Sequence, residues 1–237
     1  MPQDHLFVVY SIMTEVLHEE KDDVEIQVYD IEKAFDKLWL KEILNDIYDA
    51  VPEEKRNDKL SLLYKSNQVT TVAVNTPFGL TESKEIDDLV QQGGLWGPIK
   101  CSNSVDTLGR MSIERQENLY RYKNNINVPL SSYIDDILGA SKCGIQSLDM
   151  NIFITRNIEM KRMKFNTVTK DKKSKCQQMH VGRGTNKCQQ LLANNKSLDK
   201  VNDILYLGGR ISSDGKNDLN INKLSPAQSK LREAQFR

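Results

Sequence analysis

The chain runs to 237 residues, 38% of them hydrophobic, enough for one large domain or two small ones around a real core. Its 33 Lys+Arg balance 33 Asp+Glu, which excludes a global basic field of the kind that draws a protein to nucleic acid by net charge alone. No apolar run approaches ~20 residues, so no membrane-spanning helix is predicted.

In chain order, Leu6, Val8, Val9, Ile12, Met13, Val16 and Leu17 recur at helical spacing over 6–18. An acidic stretch follows, and then Val24-Glu25-Ile26-Gln27-Val28-Tyr29-Asp30 alternates with period two, the pattern of a strand, and ends on an acid. Ala34, Phe35, Leu38, Trp39, Ile43, Leu44, Ile47 and Tyr48 predict an amphipathic helix over 33–48, stopped before Pro52, and 61–64 suggests a further helical turn. The Val/Thr-rich stretch 68–74 and the turn residues Asn75-Thr76-Pro77-Phe78-Gly79 predict a hairpin, with 85–90 nearby. Residues 91–98 read as a glycine-rich loop, and 103–122 as a helix with Val105, Leu108, Met111 and Ile113 inward. A hairpin around 133–136 is followed by a helix over 147–164, strands over 175–181 and 204–211, and a turn at Ser212-Ser213-Asp214-Gly215. Helices and strands interleave without a regular βαβ rhythm, which gives an α+β fold class.

Charge is uneven along this order. Between Arg156 and Lys187 ten basic residues stand against two acids, whereas the first sixty residues lean acidic. The basic stretch fits either a face for a phosphate backbone or a solvated surface. The cysteines, Cys101, Cys143, Cys176 and Cys188, form no CxxC pair. They are expected to be reduced thiols of an intracellular protein, in nucleus or cytoplasm. Cys176, His180 and Cys188 make a metal site on paper, but their spacing fits no common zinc pattern and a fourth ligand is missing, so none is predicted.

The chemistry concentrates in carboxylates. Tyr133-Ile134-Asp135-Asp136 sits between the apolar runs Val128-Pro129-Leu130 and Ile137-Leu138-Gly139. Adjacent carboxylates in apolar surroundings repel unless a cation neutralises them. At a hairpin tip they would face a hard divalent ion, although a plain surface turn has the same composition. Asp30 closes a β-patterned run just before Ile31-Glu32-Lys33-Ala34-Phe35-Asp36. It could cap a helix, or join Asp135 and Asp136 to hold two Mg²⁺ ions for an in-line displacement. The glycines of Gln91-Gln92-Gly93-Gly94-Leu95-Trp96-Gly97-Pro98 allow close approach of backbone and substrate.

Taken in order, Val28-Tyr29-Asp30-Ile31-Glu32-Lys33-Ala34-Phe35-Asp36, the Gln92-Gly93 to Gly97-Pro98 loop and Tyr133-Ile134-Asp135-Asp136 resemble the first three palm motifs of a reverse transcriptase. Lys164-Phe165-Asn166 with Lys175-Cys176 and Met179-His180-Val181-Gly182 resembles the fourth, and Tyr206-Leu207-Gly208-Gly209-Arg210-Ile211 the fifth, the primer grip. The flavour is that of retrotransposons without long terminal repeats. The resemblance implies a polymerase palm, with a central antiparallel sheet packed on helices and a partial fingers segment. It implies an RNA-directed DNA polymerase that works on an RNA template, a DNA primer and deoxynucleoside triphosphates, with two Mg²⁺ ions or Mn²⁺ in their place and no membrane. Asp30, Asp135 and Asp136 would hold the metals, and Lys175 would donate a proton to pyrophosphate. The main chain at Ile31 would touch the triphosphate, and Phe35 would exclude a 2′-hydroxyl. Gln92, Gly93 and Tyr133 would line the nucleotide and template pocket, and Tyr206, Leu207 and Gly208 would grip the primer.

The implied organisation is a fingers remnant over 1–23, a first palm part over 24–50 and a fingers-like insertion with a hairpin over 51–91. A second palm part over 92–215 and the start of a thumb or a tail over 216–237 complete it. Departures from the family pattern are Gly97 where a serine usually precedes the proline, and Leu95-Trp96 where smaller residues are common. The expectation is a palm-centred fragment of a larger element, with few fingers residues ahead of the first motif, too few after the fifth for a thumb, and no endonuclease pattern. The alternative is a catalytically silent relic that at most binds nucleic acid.

Overall fold

The computed structural model describes residues 2–18, 23–37, 45, 48, 51–56, 70–86, 96–115, 119–123, 126–128, 130–167, 174–183 and 188–215. Helix α1 (Pro2–His18) leads to strand β1 (Val24–Asp30) and the short helix α2 (Ala34–Lys37). Past a 3-10 turn at Glu53–Lys55, β2 (Thr70–Val72) pairs with β5 (Lys84–Ile86) around an inner hairpin of β3 (Asn75–Thr76) and β4 (Gly79–Leu80). Helix α3 (Trp96–Arg115), the ribbon β6 (Arg121–Tyr122) and β7 (Ile126–Asn127), strands β8 (Ser131–Tyr133) and β9 (Asp136–Lys142), and helix α4 (Ile145–Met160) follow. The chain then supplies β10 (Gln177–Val181), the ribbon β11 (Leu192–Ala193) and β12 (Lys196–Ser197), β13 (Asp199–Lys200), and the hairpin β14 (Asp203–Tyr206) and β15 (Gly209–Ser212).

The central sheet has the order β13-β10-β1-β9-β8. Its pairs are antiparallel except β10–β13, which is parallel. Successive side chains on a strand point to opposite faces, and here both faces are covered. Val24, Ile26 and Val28 join Leu138, Ala140, Met179 and Val181 in one apolar cluster with Val9, Ile12, Met13 and Val16 of α1 and Ile204, Tyr206 and Ile211 of the β14–β15 hairpin. Tyr29, Ile31 and Ile137 lie in the other cluster with Val105 and Leu108 of α3 and Met150, Phe153, Ile154 and Ile158 of α4. Each such side chain contributes roughly 1.5–3 kcal/mol by leaving water.

The alternating stretch is strand β1, and all seven of its residues are buried. Of its polar positions, Gln27 and Tyr29 face α4 and are hydrogen-bonded instead of solvated, as buried polar groups must be. The Gln27 amide donates to the Ser147 carbonyl at 2.9 Å, the Tyr29 hydroxyl donates to Gln27 Oε1 at 2.8 Å, and the Asn151 amide donates to the Tyr29 hydroxyl at 2.6 Å. Gly139 lets the sheet close on that helix, since a Cβ there would stand 2.6 Å from Met150 Sδ.

Other boundaries also move. Helix α3 begins at Trp96, not 103, because Pro98 in a first turn forfeits no intrahelical bond. Its described part runs to Arg115, and it does not reach 122, because Tyr120 donates its backbone N–H to the Ala140 carbonyl at 3.1 Å and Arg121–Tyr122 form strand β6. Met111 and Ile113, expected inward, are 38% and 50% exposed. Residues 204–211 form a hairpin, not one strand: Leu207 and Gly208 both take positive φ (48° and 78°) and reverse the chain in two residues. The expected helix over 33–48 is seen at Ala34–Lys37, and most of its remainder, with 61–64 and 87–95, lies outside the described residues.

Candidate active site

Two sets of strand pairs bring the aspartates together. Tyr133 pairs with Asp136, so Ile134 and Asp135 form the whole tip of the β8–β9 hairpin, with Ile134 at φ 60°. Strand β9 also pairs along β1, and the last pair of that ladder is Asp30 with Asp136. The Ile31 N–H donates to the Asp135 carbonyl at 2.9 Å and ties the tip to the chain leaving β1. Directly paired residues share one face of a sheet, and like charges in that position repel. Asp30, Asp135 and Asp136 therefore stand at one end of the sheet.

The electrostatics follow from this crowding. Burial, then the Asp135 and Asp30 charges, push the Asp136 carboxyl up to about 6. Burial also raises Asp135, with Asp30 adding to it. Asp30 is buried, and the Lys175 ammonium lies 2.9 Å from its Oδ1. That contact holds Lys175 more firmly protonated, although half of its side chain is in water. Among the described residues, the Asp30, Asp135 and Asp136 oxygens are not gathered within 4.8 Å of one another, as ligands closed on a single ion would be.

The remaining sequence-predicted positions divide. Ile31 is buried, and its N–H and that of Glu32 are already engaged, with the Asp135 and Lys164 carbonyls. Phe35 is half-buried and packs on the α3–α4 cluster. Tyr133 is 36% exposed at the hairpin and meets the His5 ring edge-on, 6.1 Å between centroids. Tyr206 is buried, Leu207 lies against the α1 cluster, and Gly208 occupies the adjoining turn. A Cβ on the following Gly209 would stand 2.7 Å from Leu6, so this hairpin is seated on α1. The Asp136 charge contributes to the raised pKa of Tyr206, which places the two in electrostatic reach. Gln92 and Gly93 lie outside the described residues.

Sequence reasoning missed the polar edge of the tip. His5 Nδ1 meets Ser131 Oγ, and Ser132 Oγ donates to Asp106 Oδ1 at 2.8 Å. No motif marks these residues; only the hairpin's placement against α1 and α3 reveals them. The combination of Cys176, His180 and Cys188, set aside on spacing, is not the group the fold assembles. Cys176 is buried under the aspartates, its Sγ 4.0 Å from the Asp30 carbonyl, whereas His180 and Cys188 meet Cys143. Cys101 is likewise buried near the tip, its Sγ 3.6 Å from the Ile134 carbonyl.

No family model matches the sequence, and neither does any curated protein. Solved structures do match. The apo telomerase from Candida tropicalis superposes with a TM-score of 0.61 at 10% identity, over 92% of this chain and 36% of that one. The telomerase from Candida albicans in complex with the TWJ fragment of telomeric RNA gives 0.58 at 13% identity, over 98% and 36%. The chain thus spans about a third of the length of the structures it matches. At such identity the likeness is one of fold alone: an α+β, palm-like fold with a central sheet packed on helices. Among the described residues, no helix is long and apolar enough to cross a membrane.

Proposed function

We propose that this chain is the palm of an RNA-directed DNA polymerase of the retrotransposon type without long terminal repeats, adding deoxynucleotides to a primer 3′-hydroxyl on an RNA template. The observation that supports this reading most is the pairing of Asp30 with Asp136 across β1 and β9, with Asp135 in the two-residue tip beside them. In this reading the palm comprises residues 24–50 and 92–215, flanked by the fingers remnant 1–23, the fingers-like insertion 51–91 and a thumb start or tail at 216–237.

The donor set fits a hard divalent cation. Carboxylate oxygen is the ligand Mg²⁺ prefers, and an acid held near 6 by burial and then by neighbouring carboxylates is a group that a cation would relieve. Asp30, Asp135 and Asp136 would hold two Mg²⁺ ions, or Mn²⁺, whose chemistry is to acidify the primer hydroxyl and neutralise the departing pyrophosphate. Lys175 keeps a protonated amine at the same place, available to the leaving group. Phe35 offers a wall that a 2′-hydroxyl cannot pass, Ile31 positions the tip through its bond to Asp135, and Tyr206-Leu207-Gly208 present the hairpin that holds the primer end. Gln92 and Gly93 belong to the template side, with Tyr133 at the tip's exposed edge.

The relic reading is favoured by a specific observation: Asp30 already has an ammonium partner, and the N–H groups after it are engaged within the fold. Extension of oligo(dT) on poly(rA) with Mg²⁺ or Mn²⁺ separates the two. Polymerase function requires incorporation by the wild-type chain and none by an Asp135→Asn, Asp136→Asn variant. Equal, background-level incorporation by both leaves a nucleic-acid-binding palm without turnover, which retained binding of a primer–template in a gel-shift assay would identify.

A further inference from the structure

The opposite end of the central strand holds a second cluster. Glu25 sits on β1, beside His180 of β10 in one direction and Ser141 of β9 in the other. Cys143 follows β9 directly, and Cys188 comes from the segment after β10. Their ligand atoms converge: Cys143 Sγ lies 3.3 Å from His180 Nδ1, Cys188 Sγ 3.0 Å from His180 Nδ1, and the two sulfurs 3.3 Å from each other. Glu25 Oε2 lies 3.8 Å from Cys143 Sγ, and all four ligand atoms lie within 4.8 Å of one another.

We propose that Glu25, Cys143, His180 and Cys188 form a tetrahedral Zn²⁺ site that clamps the Val24 end of the sheet. Zinc–sulfur and zinc–nitrogen bonds of about 2.3 and 2.0 Å place tetrahedral ligands roughly 3.3–3.8 Å apart, close to the separations the cluster has already adopted. Two thiolates and an imidazole are the soft donors that select zinc over Mg²⁺ or Ca²⁺. The sulfurs are too far apart to be a disulfide, whose bond is about 2.05 Å, and both cysteines are free.

Supporting contacts orient each ligand as a metal requires. His180 presents Nδ1 to the sulfurs, while its buried Nε2 makes no hydrogen bond and lies 3.7 Å from Asp23 Oδ2. That puts a carboxylate on the far side of the imidazole, where a small shift would let it accept the Nε2 proton as in zinc sites. The Gln178 amide donates to Glu25 Oε1 at 2.9 Å and leaves Oε2 for the cluster. The Lys200 ammonium donates to the Cys188 carbonyl at 2.9 Å and offsets the local negative charge. The ligands come from four separate segments, so no zinc spacing exists in the sequence. Glu25 and Asp30 are five residues apart on one strand, about 16 Å, and an odd separation puts them on opposite faces. The site is therefore independent of the aspartates.

The test uses the full chain, purified under reducing conditions, stripped with a chelator and dialysed against Zn²⁺ or Co²⁺. The expected result is one zinc per chain by elemental analysis, and with Co²⁺ the visible bands of a tetrahedral ion together with thiolate-to-metal charge transfer. Cys143→Ser with Cys188→Ser should abolish both, and Cys101→Ser should change neither. Because losing two ligands could disturb folding, Asp23→Asn provides the gentler variant: it keeps every ligand and should weaken zinc binding about 10- to 100-fold. The proposal is overturned if wild type retains no more zinc than the double serine variant, or if the Co²⁺ spectrum lacks the thiolate signature. It is also overturned if a Cys143–Cys188 disulfide forms under these conditions and excludes the metal.

Discussion

The two ends of β1 present opposite chemistries on a single seven-residue strand. At the Asp30 end, three carboxylates, one buried and two partly so, gather around a tight hairpin tip. At the Val24 end, two thiols, an imidazole and one buried carboxylate are drawn together by side chains that fix their orientation. In the function proposed above the first end would hold a cation within reach of substrate, and in the proposed zinc site the second would hold one that stays put. About 16 Å of strand separates them. What joins them is mechanical: the same buried ladder of hydrogen bonds.

The sharpest way to divide the ends is Asp30→Asn. It should lower primer extension about a thousandfold or more, since an oxygen ligand to a catalytic cation contributes several kcal/mol to the transition state. The cobalt spectrum of the far site should be unchanged. Loss of both signals together would mean that the ends are not separable.

Ile26→Ala attacks what the ends share. Ile26 is fully buried midway along the strand, and the cavity should cost about 2–5 kcal/mol in urea denaturation, with metal uptake and nucleotide incorporation failing at the same denaturant concentration. Gly139→Ala probes one face alone. Its methyl would press on Met150 and on Leu130, 2.8 Å away, at a cost of about 1–3 kcal/mol, and the loss should be larger than for an Ala140→Gly change facing α1.

The smallest effect is a pH dependence confined to the Asp30 end. Asp136 titrates near 6 in the folded chain, above the usual 3.8. The folded state thus holds that proton more tightly between those values, and stability should fall as pH rises from about 4 to about 6, then level off. Asp136→Asn should remove this slope, and Mg²⁺ should flatten it in the wild type. A slope that persists in the variant would place the titration elsewhere.

Much of the site was legible because local pattern and register coincide there. Val24 to Asp30 alternates and stops on an acid, and Pro129 and Gly139 bracket the Tyr133-Ile134-Asp135-Asp136 tip, so the strand end and the turn could be read from residue types alone. What could not be read was pairing. That both faces of β1 are buried depends on α4 bringing Asn151 and Ser147 to Gln27 and Tyr29, more than a hundred positions away. Cys143 could not be placed beside His180 and Cys188 for the same reason: sequence shows neighbours in the chain, while these side chains meet because β9 and β10 flank β1. The end of α3 was misplaced because Tyr120 gives its N–H to Ala140, a contact that no helical periodicity announces.

The position of β1 has a further consequence for how the protein is made. Val24 pairs with Lys142 on one side and with Val181 on the other, so this strand leaves the ribosome long before either partner exists. Until then both of its edges are bare, and an unpaired apolar strand is a template for other chains. Contacts so distant in sequence also form slowly. The residues with the most secure seat in the finished sheet are thus the ones that wait longest for it, and during synthesis they are the segment most in need of a chaperone's cover.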